Sequence, residues 1–109
     1  MKIKVTNIFE HNIKTLKKRF PSITKDVLKL IEELKLNPNL GISLGNSRYK
    51  VRVKNSDINR GKSGGYRIIT YVQLEKFILL VTIYSKSDKD NIINEEIDKI
   101  IAEYKLNIY

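Results

Sequence analysis

The chain has 109 residues, of which 41% are hydrophobic, which is enough to bury the core of one domain. It contains no cysteine and a single histidine, His11. This composition excludes a disulfide framework, a thiolate metal site, a cysteine nucleophile and a multi-histidine metal centre. The first residues alternate charged and β-branched side chains, and no apolar run approaches the roughly 20 residues of a membrane span. We therefore expect a cytoplasmic protein without a metal or cofactor.

Basic residues outnumber acidic ones by 21 to 12, which gives a formal net charge of +9. The excess lies in the middle of the chain: residues 48–89 hold ten basic and three acidic residues, whereas residues 90–109 hold two basic and five acidic ones. Such a cluster predicts a polyanionic partner. The alternative is a lysine-rich surface that serves only solubility.

The first half of the chain predicts a strand followed by a helical hairpin. Residues 1–6 have the alternation of a short strand, and apolar residues then recur at helical spacing over residues 9–20. Pro21 ends this helix, and Ser22 is a suitable N-cap for a second helix that ends at residues 37–39. The brief connection between them predicts that the two helices are antiparallel.

The middle of the chain predicts a basic strand between two loops. Residues 39–47 are interpreted as a loop. Residues 49–53 then alternate, with tyrosine and valine on one face and Lys50 and Arg52 on the other. A polar loop follows over residues 55–65.

The last third predicts a β-hairpin and a helix. Residues 66–73 and 77–84 are strands joined by a three-residue turn, and a helix begins near Asn94. The order β-α-α-β-β-β-α predicts an α+β fold in a single domain over residues 1–109, with a small antiparallel sheet and helices on one face. We expect the basic side of residues 49–53 to line the open face.

The chemistry that these residues offer is that of cations and phenols on strands. Lys50 and Arg52 share a face, Arg67 begins the next strand, and Tyr84 and Lys86 leave the end of the last strand. Cleavage of RNA by its own 2′-hydroxyl needs a base, an acid and positive charge on the phosphorane-like transition state. Such a set can supply these groups without histidine or metal. The same cations could equally do no more than hold a phosphate backbone.

Four segments of the chain resemble the RelE/ParE toxin superfamily, and most closely its HigB-like RelE branch. They are the helical hairpin "LKKRFPSITKDVLKLIEELKLNPNLG" (16–41), the basic strand "YKVRV" (49–53), the signature "GKSGGYRIITYV" (61–72) and the last strand with its turn, "LLVTIYSKSDKDNI" (79–92). The resemblance covers about the whole domain. It implies a type II toxin that cleaves mRNA on the ribosome without a metal, causes growth arrest, and is neutralised in a hetero-oligomer with a cognate antitoxin.

Carried over by position, the family's catalytic cations fall on Lys50, Arg52 and Arg67. Tyr84 and Lys86 lie near the family's remaining catalytic positions without matching them, because the second basic position holds Ser87. Further cations are expected to bind RNA: Arg48, Lys54, Arg60 and Lys62. Gly61, Gly64 and Gly65 are expected to let their loop approach RNA by removing side-chain bulk and permitting positive φ.

Two other functions stay open at the level of sequence. A ParE-like inhibitor would bind DNA gyrase and cut nothing, and an inert relative would bind RNA in a salt-dependent way without affecting growth. The basic face favours the nuclease, since the catalytic cations would have no use in the gyrase inhibitor.

Overall fold

The computed structural model describes residues 1–58 and 64–107. Along the chain it contains β1 (Lys2–Val5), α1 (Asn7–Lys17), α2 (Ile23–Leu36), β2 (Ile42–Gly45), β3 (Arg48–Val53), β4 (Tyr66–Gln73), β5 (Phe77–Ser85) and α3 (Asn94–Asn107). The five strands form one sheet in the order β1-β5-β4-β3-β2. The α+β class predicted from the sequence is confirmed. Among the described residues, no helix is both long and apolar enough to cross a membrane.

The helical hairpin begins earlier than its apolar spacing predicts. The hydroxyl of Thr6 accepts a hydrogen bond from the backbone N–H of Phe9 and so caps α1, which therefore starts at Asn7. Ser22 does occupy the N-cap position of α2, but its side chain makes no capping hydrogen bond. Its backbone N–H donates instead to the carboxylate of Asp57, 2.8 Å away, which joins the start of α2 to the turn after β3.

The sheet differs from the predicted antiparallel meander in two ways. First, β1 pairs in parallel with β5, so the sheet is mixed. Helices α1 and α2 carry the chain from β1 to the opposite edge of the sheet, and the antiparallel strands β2, β3 and β4 lead back to β5. Second, the segment interpreted as a loop contains the edge strand β2, which pairs with β3. Gly41 makes this pairing possible: its φ is +101°, and a Cβ atom there would lie 2.5 Å from the carbonyl oxygen of Lys50.

Helices cover both faces of the sheet, not one. The face we call the hairpin face packs against α1 and α2, and its buried strand residues include Val51, Ile68, Leu80 and Ile83. The opposite face, called the α3 face, carries Ile69, Leu79 and Val81 against the apolar stripe of α3. The expectation of a single covered face was wrong because the isoleucines of α3 need an apolar surface, and the inner strands β4 and β5 provide one on each side.

The α3 face is only partly covered, and this decides where the basic strand points. Lys50 and Arg52 alternate with Val51 and Val53 along β3, so they lie on the α3 face. Arg52 is exposed and Lys50 half-buried. The prediction that the basic side of this strand lines the open part of the sheet therefore agrees with the structure.

Candidate active site

Three polar side chains of the α3 face stand side by side on adjacent strands. In the β3–β4 pair Arg52 is opposite Arg67, and in the β4–β5 pair Arg67 is opposite Tyr84. Directly opposed residues have Cβ atoms about 5 Å apart. We call these three residues the cross-strand row. Lys50, two residues before Arg52 on the same face, stands beside it.

The row passes from solvent into the protein. Arg52 is exposed, Arg67 is 4% exposed and Tyr84 is 8% exposed. One terminal nitrogen of the Arg67 guanidinium donates a hydrogen bond to the carbonyl oxygen of Tyr66, 3.1 Å away. Burial, and then the charge of Arg52, lower the pKa of Arg67 from its ordinary value. An arginine stays protonated despite such a shift, so the row holds a partly desolvated positive charge.

No acidic side chain among the described residues forms an ion pair with Lys50 or Arg52. The end of the α3 face that carries the row is therefore strongly positive. A positive site with low-dielectric walls attracts and orients phosphate more strongly than the same charges in water.

Tyr84 occupies the inner end of the row. Its hydroxyl oxygen is buried and has no hydrogen-bond partner among the described residues. Burial raises the pKa of Tyr84, whereas the charge of Arg67 acts in the opposite direction. The ammonium of Lys89 lies 5.7 Å from the centroid of its ring. The phenol is therefore neutral at physiological pH and covered by the segment that leads into α3.

Gly65 fixes the alignment of the row. A Cβ atom on Gly65 would lie far inside van der Waals contact with the carbonyl oxygen of Val53, so only glycine lets β4 start this close to the end of β3. Gly41 and Gly45 have positive φ, whereas Gly65 does not. Close backbone approach, and not the predicted positive φ, is thus the reason for glycine at position 65. Gly61 lies outside the described residues.

Other predicted site residues are placed elsewhere or in other contacts. Arg48 forms an ion pair with Asp98 of α3, and Lys86 lies 3.4 Å from a carboxylate oxygen of Asp90. Lys54 is exposed and lines, together with Arg52, a cavity between α2 and β3. Two predicted RNA-binding residues lie outside the described part of the chain: Arg60 and Lys62.

Two residues near the row were not predicted. Lys89 contacts the ring of Tyr84, and the side-chain amide of Asn12 donates to the hydroxyl of Thr82, 3.1 Å away, on the strand that carries Tyr84. No sequence signal points to either residue. Asn12 lies on α1 and Lys89 lies between β5 and α3, and only the packing of the folded chain brings them to the end of β5. His11 is exposed on α1, and no group of metal-binding side chains occurs within residues 1–58 and 64–107.

The sequence matches the model of a known protein family. Residues 1–107 match the RelE toxin of the RelE/RelB toxin–antitoxin system. The chain belongs to the RelE toxin family. No curated protein matches this RelE-family chain. The match is to the family as a whole, so the closer likeness to the HigB branch stays a prediction.

Membership of the RelE family establishes two points of function. The protein is the toxin component of a toxin–antitoxin system, and a cognate antitoxin is its partner. The positions that resemble the family's catalytic cations include Arg52 and Arg67, and the register of the sheet brings these two arginines side by side.

Proposed function

We propose that this RelE-family toxin is an endoribonuclease that cleaves mRNA on the ribosome, without a metal, by attack of the ribose 2′-hydroxyl on the adjacent phosphate. The observation that carries the proposal is the cross-strand row: Arg52 and Arg67 are adjacent, with Lys50 beside them and no acid paired to Lys50 or Arg52 among the described residues. Toxins of this family are generally endoribonucleases.

In the proposed reaction the 2′-oxygen bonds to phosphorus and the bond from phosphorus to the 5′-oxygen breaks. The products are a 2′,3′-cyclic phosphate and a 5′-hydroxyl end, and the proton lost by the 2′-hydroxyl is balanced by one delivered to the leaving oxygen. The exposed guanidinium of Arg52 binds the phosphate. The buried charge of Arg67 stabilises the extra negative charge of the transition state from a fixed position.

Proton transfer falls to groups that can lose a proton, which arginine does not. Lys50 is the candidate for the base that takes the proton of the 2′-hydroxyl. It is half-buried beside the row and has no ion-pair partner among the described residues. Tyr84 is buried behind Arg67, and we assign it a positioning role there. Lys86 would act only after leaving Asp90. Lys54, Arg60 and Lys62 are proposed to bind the flanking phosphates.

The test is brief induction in a bacterial host followed by sequencing of RNA 5′-hydroxyl ends. We expect new ends inside translated frames and in phase with codons. Arg52→Ala and Arg67→Ala should each reduce their number by about 100-fold or more, which is the typical loss when one transition-state donor is removed. Lys14→Ala is the control, since it removes one exposed positive charge from α1, away from the row.

Each outcome has a separate meaning once circular dichroism shows that the variants are folded. Ends that persist in both arginine variants would exclude the row as the active site. Growth arrest and DNA damage without new ends would favour the gyrase inhibitor. We place the toxin in the cytoplasm with the ribosome, and we expect an acidic or amphipathic segment of the antitoxin to cover the row or to dock beside α3.

A further inference from the structure

The strand β5 contains one residue that has no counterpart in β4. Thr70 of β4 lies opposite Leu80 of β5. The residue before Thr70, Ile69, lies opposite Thr82 and not opposite Val81. Val81 is therefore an extra residue, and the pairing has a β-bulge at this point. Every residue of β5 beyond the bulge is shifted by one position relative to β4.

The bulge decides which side chain completes the cross-strand row. Val81 and Tyr84 both lie on the α3 face, although strict alternation from Val81 would turn Ile83 to that face and Tyr84 to the hairpin face. Without the extra residue, the pairing of the preceding positions would continue and place Ile83, not Tyr84, opposite Arg67. Burial alone selects weakly between these two registers, because Ile83 and Tyr84 are both buried. Other contacts must therefore fix the bulge.

Thr6 binds the backbone of the bulge from the β1 side. The outer neighbour of β5 is β1, and their pairing ends where Val5 meets Leu80. Directly after this pair, the backbone N–H of Thr6 donates to the carbonyl oxygen of Leu80 at 3.3 Å, and the Thr6 hydroxyl donates to that of Val81 at 2.7 Å. The same hydroxyl accepts a hydrogen bond from the N–H of Phe9 and caps α1. The start of α1 is thus tied to the bulge.

Asn12 of α1 binds β5 just after the bulge. Its side-chain nitrogen donates to the carbonyl oxygen of Ile83 at 3.2 Å and to the hydroxyl of Thr82 at 3.1 Å. A backbone carbonyl only accepts hydrogen bonds, so it fixes which end of the amide faces β5. These bonds take the place of those that an edge strand would make to β5 beyond β1. Unlike Thr6, Asn12 has no capping role, and its side chain makes no further hydrogen bond within residues 1–58 and 64–107.

We propose that Asn12 is a positioning residue of this toxin: it holds the bulge in β5, and the bulge places Tyr84 opposite Arg67. When the amide is lost, the register in which Ile83 lies opposite Arg67 becomes accessible, and an aliphatic side chain replaces the phenol behind the guanidinium. Arg67 would then lose the fixed surroundings from which it stabilises the transition state. This consequence for cleavage rests on the proposed function, whereas the register is a property of the fold alone.

Cross-strand nuclear Overhauser effects measure the register directly in the purified protein. The wild type should show contacts between the backbones of Arg67 and Tyr84. In Asn12→Leu and Asn12→Asp, which keep the approximate size of the side chain but remove its donor, we expect these contacts to weaken and contacts between Arg67 and Ile83 to appear. Amide exchange at the end of β5 should accelerate about tenfold, as for one or two lost hydrogen bonds. The control is Asn7→Leu, the same change at an exposed position of α1, which should leave both measurements unchanged.

Cleavage kinetics separate positioning from general stability. With purified toxin and ribosome-bound mRNA, both Asn12 variants should lower kcat about tenfold or more and change KM less than about twofold, because the exposed phosphate-binding cations stay in place. Val27→Ala is the stability control: it removes buried volume from the hairpin face and should leave kcat unchanged. Thr82→Val removes one of the two acceptors of Asn12 and should change the register and kcat in the same way to a smaller extent. It provides the test even where an Asn12 variant does not fold.

Two results would overturn the proposal. One is that the folded Asn12 and Thr82 variants keep the contacts between Arg67 and Tyr84 and the amide exchange of the wild type. The other is a changed register with unchanged kcat, which would make Asn12 a purely structural residue. If the wild-type toxin cleaves no RNA, it is the proposed function that fails, and the register measurement still decides whether Asn12 holds the bulge.

Discussion

The two faces of the sheet are built from the same strands but bury different chemistry. On β4, Ile68 enters the hairpin face, where two helices seal a continuous apolar cluster. Its neighbours Arg67 and Ile69 enter the α3 face, where one helix covers the apolar part and leaves the cross-strand row at its margin. We therefore expect the hairpin face to provide more of the stability than the α3 face. The α3 face, by contrast, holds the buried cation Arg67 at its margin.

The largest expected effect tests this division within one strand. Ile68 and Ile69 are both fully buried, one on each face. We expect Ile68→Ala to lower the free energy of unfolding by about 4 kcal/mol and Ile69→Ala by about 2–3 kcal/mol, because a single helix can shift into vacated space more easily than a pair. Urea unfolding measures both losses. Equal losses, or a greater loss at Ile69, would contradict the division.

A smaller effect is expected where the two strands of the row approach each other. Gly65→Ala should cost about 3 kcal/mol, because the new methyl group overlaps the Val53 carbonyl oxygen and forces the strands apart. It should also impair RNA cleavage by separating Arg52 from Arg67. The control is Gly45→Ala, where φ is +85° and no atom lies within 4 Å of the new Cβ.

That control should cost about 1 kcal/mol, from backbone strain alone, with cleavage retained. Urea unfolding and the 5′-end assay distinguish the two variants. If Gly65→Ala were as mild as Gly45→Ala, close strand approach would not be what aligns the row.

The smallest effect concerns the buried tyrosine on each face. Burial, followed by the charges of Asp26 and Asp57, raises the pKa of Tyr66 well above its ordinary 10.0; burial raises that of Tyr84, against the opposing charge of Arg67. For each tyrosine the pKa in the folded state lies above the pKa in the unfolded state. Its contribution to the free energy of unfolding is therefore fully present below the unfolded pKa and is lost as pH rises through the folded pKa. Stability should therefore fall above about pH 10.

The free energy of unfolding, measured between about pH 9 and pH 11 in the wild type, Tyr66→Phe and Tyr84→Phe, shows which tyrosine causes this loss. We expect Tyr66→Phe to remove more of the alkaline decline than Tyr84→Phe, since Arg67 favours the phenolate of Tyr84. Lysines also titrate there, but they are common to all three proteins. An equal change in both variants would mean that the faces do not differ electrostatically at these positions.

Much of the fold could be predicted from local patterns. Hydrophobic spacing identified the three helices, and alternation identified the basic strand, because helix and strand periods depend on neighbouring residues only. The boundaries that failed depend on contacts outside the local pattern. The start of α1 is set by the Thr6 cap, and β2 is too short to show a period and exists because Gly41 lets it meet β3.

For the candidate site, the sequence by itself determined which side chains are available: Lys50, Arg52 and Arg67 lie on basic strands, and their likeness to the RelE family points to RNA. Only the tertiary structure decided which of them lie side by side. Strand register places Arg67 between Arg52 and Tyr84. The position of α3 brings Asp98 close enough to Arg48 to form an ion pair. Residue types and local periods are properties of short segments, whereas register, burial and charge pairing arise when distant segments pack together.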